Sequence, residues 1–374
     1  MDVHAAVSAS PQRRWSPQVK SYWYVTSNKN RVFELETELL YWSDGWSDAP
    51  RRRKIHPLPT PFLGWRMIVR IPARSLREVA ERLDEEQMAG LIDHTELKPH
   101  VLRKKIRSLC DEADAHRFAT VCINSWWVRE ASQYLKSKSS RTGIASVVGF
   151  PLGQMSTESK AFEAADAIAN GATEIDMVIN VGGIREMAAS SGEGSSKMRG
   201  LVRDDIGAVV KKADGAPVKV ILETGYLTDE EIVEACRISE EAGAAFVKTS
   251  TGFGPMGAYP SHLKLMRDTV SNRLGVKAAG GVTNFLEAIR SIYAAANSPS
   301  LLRPDRFRIG TSNGINIVNS LSWTRYDDSW FMEEIPCRIC PSNYVSKQPL
   351  EVQTVYVNRC KTCPDNTYRK FKDF

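Results

Sequence analysis

No run in this chain approaches the roughly 18 consecutive apolar residues of a membrane span, so no transmembrane helix and no membrane partner are expected. The first thirty residues mix Pro, Arg, Trp and Ser without the apolar centre of a secretory leader. Glu34, Glu36, Glu38, Asp44 and Asp48 follow closely, whereas transit peptides are poor in acids. With both addresses missing, a cytoplasmic protein is expected. Cysteine is thin in the body of the chain, where Cys110, Cys122 and Cys236 stand far apart, as suits a reducing compartment. A basic stripe is lacking too. The formal charge is +6, yet residues 1–80 hold 13 Lys+Arg against 7 Asp+Glu while residues 81–320 hold 29 against 30. The excess lies in the N-terminal extension, so nucleic-acid binding by the main domain is not expected.

What is present is enough apolar material for a core, 42% of the 374 residues. That length accommodates one barrel of about 250 residues plus extensions. Residues 1–75 show no sustained period and carry Arg51-Arg52-Arg53-Lys54 and Pro57-Leu58-Pro59-Thr60-Pro61. They read as an irregular basic extension, with short amphipathic pieces around Val32–Trp42. The arginine run suits a nuclear-localisation or anionic-surface patch, and more plainly a solvated linker.

Over residues 76–320 short β-branched runs alternate with helical patterns, the mark of βαβ units. Eight strands are expected, at Leu91–His94, Thr120–Ile123, Ile144–Phe150, Glu174–Asn180, Val218–Glu223, Phe246–Thr249, Val276–Ala279 and Phe307–Gly310. Helices are expected between them, among them Thr157–Asn170 and Thr228–Ala242, the latter opened by the capping-box spacing Thr228…Glu231. Ala188–Gly200 and Asn297–Pro304 read as mobile surface loops. The pattern predicts an α/β fold, a (β/α)8 TIM barrel with irregular N- and C-terminal extensions. An open doubly wound sheet is the competitor, but no Gly-x-Gly-x-x-Gly turn follows the first strand.

In such a barrel the reacting groups come from the C-terminal ends of different strands. That rule gathers Asp93, Cys122, Asp176, Lys248 and Lys277 at one mouth. Two lysines on consecutive strand ends suggest imine chemistry, because a free lysine, with a pKa of about 10.4, is a poor nucleophile until a neighbouring cation or burial disfavours its charge. Asp176, inside the apolar strand Ile175-Asp-Met-Val-Ile, needs a partner, and the lysines are natural ones. Cys122 reads more plainly as a small buried hydrophobe, and Asp93 equally well as a group that satisfies backbone donors. The late loops, with Thr251-Gly252, Gly280-Gly281 and Gly310-Thr311-Ser312-Asn313-Gly314, suit phosphate bound through backbone N–H groups and hydroxyls.

These residues stand in stretches that together resemble deoxyribose-phosphate aldolase. They are Leu-Ile-Asp-His-Thr (91–95), Thr-Val-Cys-Ile-Asn (120–124), Val-Val-Gly-Phe-Pro-Leu-Gly (147–153), Glu-Ile-Asp-Met-Val-Ile-Asn (174–180), Leu-Glu-Thr-Gly (222–225), Val-Lys-Thr-Ser-Thr-Gly-Phe (247–253), Lys-Ala-Ala-Gly-Gly-Val (277–282) and Arg-Ile-Gly-Thr-Ser (308–312). They fall in the family's order and span about 60% of the chain. The resemblance implies a class I aldolase that reversibly cleaves 2-deoxy-D-ribose 5-phosphate to acetaldehyde and D-glyceraldehyde 3-phosphate, with no metal or other cofactor. It implies that Lys248 forms the imine, that Lys277 lowers its pKa and takes part in proton transfer, and that Asp176 relays protons through water. Asp93, Cys122, Thr251, Gly252, Gly280, Gly281, Ser312 and Asn313 would contact the substrate, a small phosphorylated sugar, in a homodimer. Met256-Gly257-Ala258-Tyr259 replaces the family's usual Gly-Gly-Ala-Thr, Ser125 a common proline and Asn313 a common serine. A class I aldolase for another phosphorylated aldehyde is the nearby alternative.

The resemblance stops near Leu321, leaving 321–374 as a tail. Cys337-x2-Cys340 and Cys360-x2-Cys363, nineteen residues apart, have the four-cysteine zinc spacing. Both pairs are followed by proline and apolar residues are few, so an unfolded extension is weighed against a zinc site. A barrel without this activity, acting as an interaction protein through that tail or the basic extension, is the rival function.

Overall fold

In the computed structural model, the described residues are Tyr22–Tyr24, Glu34–Glu36, 73–324, Met332–Pro336 and Tyr344–Pro349. The chain divides into two units, Met1–Arg70 and Ile71–Phe374. In the first, β1 (Tyr22–Tyr24) pairs antiparallel with β2 (Glu34–Glu36), a regular piece within the stretch expected to be irregular. Most of the predicted amphipathic piece at Val32–Trp42 lies outside the described residues.

The second unit contains the barrel. Its strands are β3 (Ile92–Glu96), β4 (Thr120–Asn124), β5 (Gly143–Val148), β6 (Glu174–Val178), β7 (Val218–Ile221), β8 (Phe246–Lys248), β9 (Gly275–Ala279) and β10 (Phe307–Thr311). All pair in parallel, in chain order, and β10 closes on β3. Helices follow the strands and cover their outer faces, so most strands are rich in apolar residues, while β3 (Ile-Asp-His-Thr-Glu) carries mainly polar ones. The eight expected strands are all present, with ends shifted by one or two residues. Beyond the barrel, β11 (Met332–Pro336) and β12 (Tyr344–Pro349) pair antiparallel in the tail that was expected to be irregular. Cys337, Cys340, Cys360 and Cys363 lie outside the described residues.

Local chemistry fixes the helix ends. Thr228 accepts from the Glu231 backbone while the Glu231 carboxylate accepts from the Thr228 N–H, the reciprocal box the spacing predicts. The expected loop at Ala188–Gly200 is mostly helix. One helix, Val181–Ala189, ends there and a second, Gly192–Lys212, begins after two serines. Its Ser/Gly-rich first turns are poor helix formers, but Val202, Ile206 and Val209 bury one face against the barrel, and that packing overrides propensity. Asn297–Pro304 has no helix or strand, as expected.

Gly275 shows how tightly the strands meet. A methyl there would lie 2.1 Å from the Phe246 ring, and that ring in turn lies 6.0 Å from the Lys219 ammonium. Gly275→Ala is therefore expected to destabilise by about 1–3 kcal/mol through overpacking. An unchanged urea midpoint would show that β9 yields at no cost.

Candidate active site

Strand register brings the chemistry together. Asp176 on β6 faces Lys219 on β7, and Lys277 on β9 is flanked by Lys248 on β8 and Arg308 on β10. Neighbouring residues of a parallel ladder point to one side, here the barrel interior. Asp176, Asp93, Lys219 and Lys277 are fully buried, and Lys248, the last residue of its strand, is 2% exposed. The acids and Lys277, expected at strand ends, thus stand deeper, inside the barrel.

The contacts are direct. The Lys248 and Lys277 ammonium groups each donate to Asp176 Oδ2 at 2.7 Å. Lys277 also lies 2.5 Å from Asp93 Oδ2. On the inner side Lys219 donates to Asp176 Oδ1 at 2.9 Å and to Glu174, while Arg308 bridges Asp93 at 2.5 Å and Glu174 at 2.9 Å. The cluster is thus four cations, Lys219, Lys248, Lys277 and Arg308, against three carboxylates, Asp93, Glu174 and Asp176. Burial pushes Asp176 up, but Lys219, Lys248 and Lys277 outweigh it and hold the carboxyl well below its usual range. Asp93 behaves alike, with Lys277 and Arg308 opposing burial. Burial works against charge on Lys277, yet Asp176 and Asp93 overcome it and keep the ammonium protonated. Cys122 Sγ lies 3.9 Å from Asp176 Oδ2, and its thiol is pushed up by burial, so it remains a neutral neighbour that packs with Leu97, Ala145 and Val147.

Lys219, Glu174, Arg308 and Glu223 were given no role by sequence reasoning. Lys219 and Arg308 carry the signal that singled out Asp176, a charge within a short apolar strand, and that signal could have found them, whereas Glu174 stands at the start of its strand and does not carry it.

The small residues of three late loops form one continuous surface. Gly252 and Gly280 have φ of +86° and +88°, open to glycine, and a methyl on Gly280 would meet Gly257, Ser250 and Gly252 within 3.6 Å. Thr311 donates to Val282 O and Asn313 Nδ2 to Thr283 O at 3.1 Å, tying the loop after β10 to the one after β9. Asn313 and Thr251 therefore already use the side-chain donors expected to reach a substrate, Thr251 giving its N–H and hydroxyl to Glu223. The N–H groups of Gly252, Gly280, Gly281 and Ser312 make no hydrogen bond among the described residues. A cleft of about 690 Å3 opens beside the mouth, walled by Pro151, Gln154, Arg185, Glu223, Tyr226 and Phe253, with Lys248 outside its lining.

A family model described as DeoC/LacD family aldolase matches residues 87–320, more than half of the chain. The chain belongs to that family. This aldolase, a carbon–carbon lyase, is 46% identical over 238 residues to the deoxyribose-phosphate aldolase of Thermococcus kodakarensis, covering 63% of this chain and 97% of the relative. It is 46% identical over 241 residues to that of Enterococcus faecalis, covering 64% of this chain and all of the relative. Among solved structures, the tetrameric deoxyribose phosphate aldolase of Aeropyrum pernix matches with a TM-score of 0.56 at 29% identity, over 66% of this chain and 97% of that one. Among the described residues no helix is long and apolar enough to cross a membrane.

Two histidines of this aldolase are shielded from water, His94 buried on β3 and His262 half-buried on the helix Pro260–Val270. His94 Nε2 bonds Glu112 Oε2 at 2.7 Å, but burial outweighs the carboxylate and lowers its pKa, and burial lowers that of His262 as well. A folded-state value below the unfolded value of about 6.5 means that the unfolded chain binds more protons as the solution turns acid. Stability is thus expected to fall as pH drops through about 6.5, by at most about 1.4 kcal/mol per pH unit for each histidine. Asp93 and Asp176, depressed when folded, add a further loss below about pH 4. Urea midpoints at pH 8, 6 and 4 check this, and a flat profile from 8 to 6 contradicts the histidine part.

Proposed function

We propose that this aldolase reversibly cleaves 2-deoxy-D-ribose 5-phosphate to acetaldehyde and D-glyceraldehyde 3-phosphate through an imine on Lys248. The observation that carries the reading is Asp176 Oδ2 held 2.7 Å from both Lys248 and Lys277. One carboxylate oxygen between two amines can take a proton from one and return it to the other without moving. The charge count supports the same role for Lys248. With four cations against three carboxylates, one proton can leave without burying net charge. Lys248 is the amine placed to meet a substrate, since among the lysines of the cluster it alone stands at the end of its strand and is not wholly enclosed.

The neutral amine adds to C1 of the open-chain sugar, and loss of water gives a protonated imine. The C3 hydroxyl proton then passes through water to Asp176, the C2–C3 bond breaks, and its electron pair flows through C1 to the imine nitrogen. D-glyceraldehyde 3-phosphate departs and an enamine remains. Lys277 and Asp176 supply the proton that C2 takes up, and water hydrolyses the resulting imine to acetaldehyde and free Lys248. The phosphate would lie on the loops after β8, β9 and β10, where the N–H groups of Gly252, Gly280, Gly281 and Ser312 are without partners among the described residues. Asp93 would act from behind, by holding Lys277. The relatives named for this reaction support the substrate. On this reading residues 76–320 carry the activity, with 1–75 and 321–374 as additions to it.

Borohydride reduction in the presence of deoxyribose 5-phosphate tests the reading. A stable adduct on the peptide that contains Lys248 is expected. No adduct from folded protein that also fails to release acetaldehyde would refute it for this substrate.

A further inference from the structure

Glu223 follows β7 in the left-handed region, with φ 53° and ψ 57°, a conformation unfavourable for any residue but glycine. Its side chain is 3% exposed, and burial raises its pKa. Oε2 accepts the Thr251 N–H at 3.1 Å and the Thr251 hydroxyl, and Thr251 Oγ1 in turn accepts the Phe253 N–H at 3.0 Å. Oε1 is buried without a partner among the described residues, directly beneath Gly254, where a methyl would come within 2.7 Å of it. The backbone around it reinforces the grip. Leu222 N–H bonds Lys248 O at 2.9 Å and Thr224 N–H bonds Thr249 O at 3.0 Å. An unfavourable backbone, a buried carboxyl and an orphaned oxygen are therefore all maintained at one residue, whose visible contacts go to the loop that leaves Lys248 and turns toward the glycine surface. Such outliers persist only where the surrounding structure holds them, and they gather where geometry must be fixed.

We propose that Glu223 is a positioning residue that locks Thr251–Gly254, so that the Gly252 N–H stays directed at the substrate phosphate and phosphorylated aldehydes are preferred over unphosphorylated ones. The proposal rests on the phosphate placement given above. Thr251 then serves the substrate through the shape of its loop, since its own donors are turned to Glu223.

Kinetics on deoxyribose 5-phosphate and on deoxyribose, with Glu223→Ala, Glu223→Gln and Thr251→Val, test this. Glu223→Ala is expected to lower kcat/KM for the phosphorylated sugar at least tenfold, mostly through KM. The value for deoxyribose should stay within about threefold. Glu223→Gln keeps an oxygen for the Thr251 bonds and is expected to restore most of the preference. Thr251→Val should reproduce the loss and, combined with Glu223→Ala, add little to it. Equal loss on both sugars, or an unchanged ratio in Glu223→Ala, overturns the proposal. Should that variant fail to fold, Thr251→Val alone decides, by the same ratio. Exchange of the acetaldehyde methyl protons with deuterated water needs the lysine but no phosphate. Its absence in the wild-type protein would refute the imine reading and this inference with it, whereas its presence alongside an unchanged ratio refutes only the role given to Glu223.

Discussion

Lys248→Met is expected to abolish turnover while leaving the protein at least as stable as wild type. The loss in kcat/KM should reach about 10^4-fold or more, since removing a nucleophile removes the covalent route itself. The stability half follows from charge. The cluster holds four cations against three carboxylates, so removing the Lys248 cation leaves it balanced. Asp176 Oδ2 keeps its 2.7 Å partner in Lys277, and methionine fills most of the vacated volume. The site thus trades stability for reactivity. Thermal melts beside a coupled assay read both halves. Residual turnover above about one part in 10^3, or a stability loss of several kcal/mol, would show that Lys248 is structural.

Asp176→Asn is expected to damage both properties. It removes the one carboxylate among the described residues that contacts three lysines, Lys219, Lys248 and Lys277, all buried. Four cations then face two carboxylates, and breaking a buried ion network this way costs about 3–5 kcal/mol. For a domain of this size that is a fall in melting temperature of about 10 °C. Turnover should drop by about 10^2- to 10^4-fold with loss of the proton carrier. Adding Lys248→Met to Asp176→Asn returns the count to three against two, so the double variant is expected to melt higher than Asp176→Asn alone. A double variant that is less stable than either single one would contradict the charge argument.

Much of this was legible in the chain. The strands announced themselves as short apolar runs broken by hydroxyls and glycine, and Lys248, Lys277 and Asp176 stood out as charges at or inside them. The helix at Gly192–Lys212 did not, because Ser and Gly dominate its start and its buried positions come later, at Val202, Ile206 and Val209. Thr251 and Asn313 looked like ligand donors because hydroxyl and amide groups on loops usually are. Their protein partners, Glu223 and the Thr283 carbonyl, lie 28 and 30 positions away and could not be read locally.

The sequence by itself determined the barrel and the family and singled out the amine to which the proposed chemistry is assigned, because each depends on patterns within a strand and the loop that follows it. Only the tertiary structure decided which charges share an oxygen. Lys248 and Lys277 reach Asp176 across 72 and 101 positions, and Arg308 reaches Asp93 across 215. Pairings of that kind depend on strand register and on closure of β10 against β3, and alternation along a strand specifies neither.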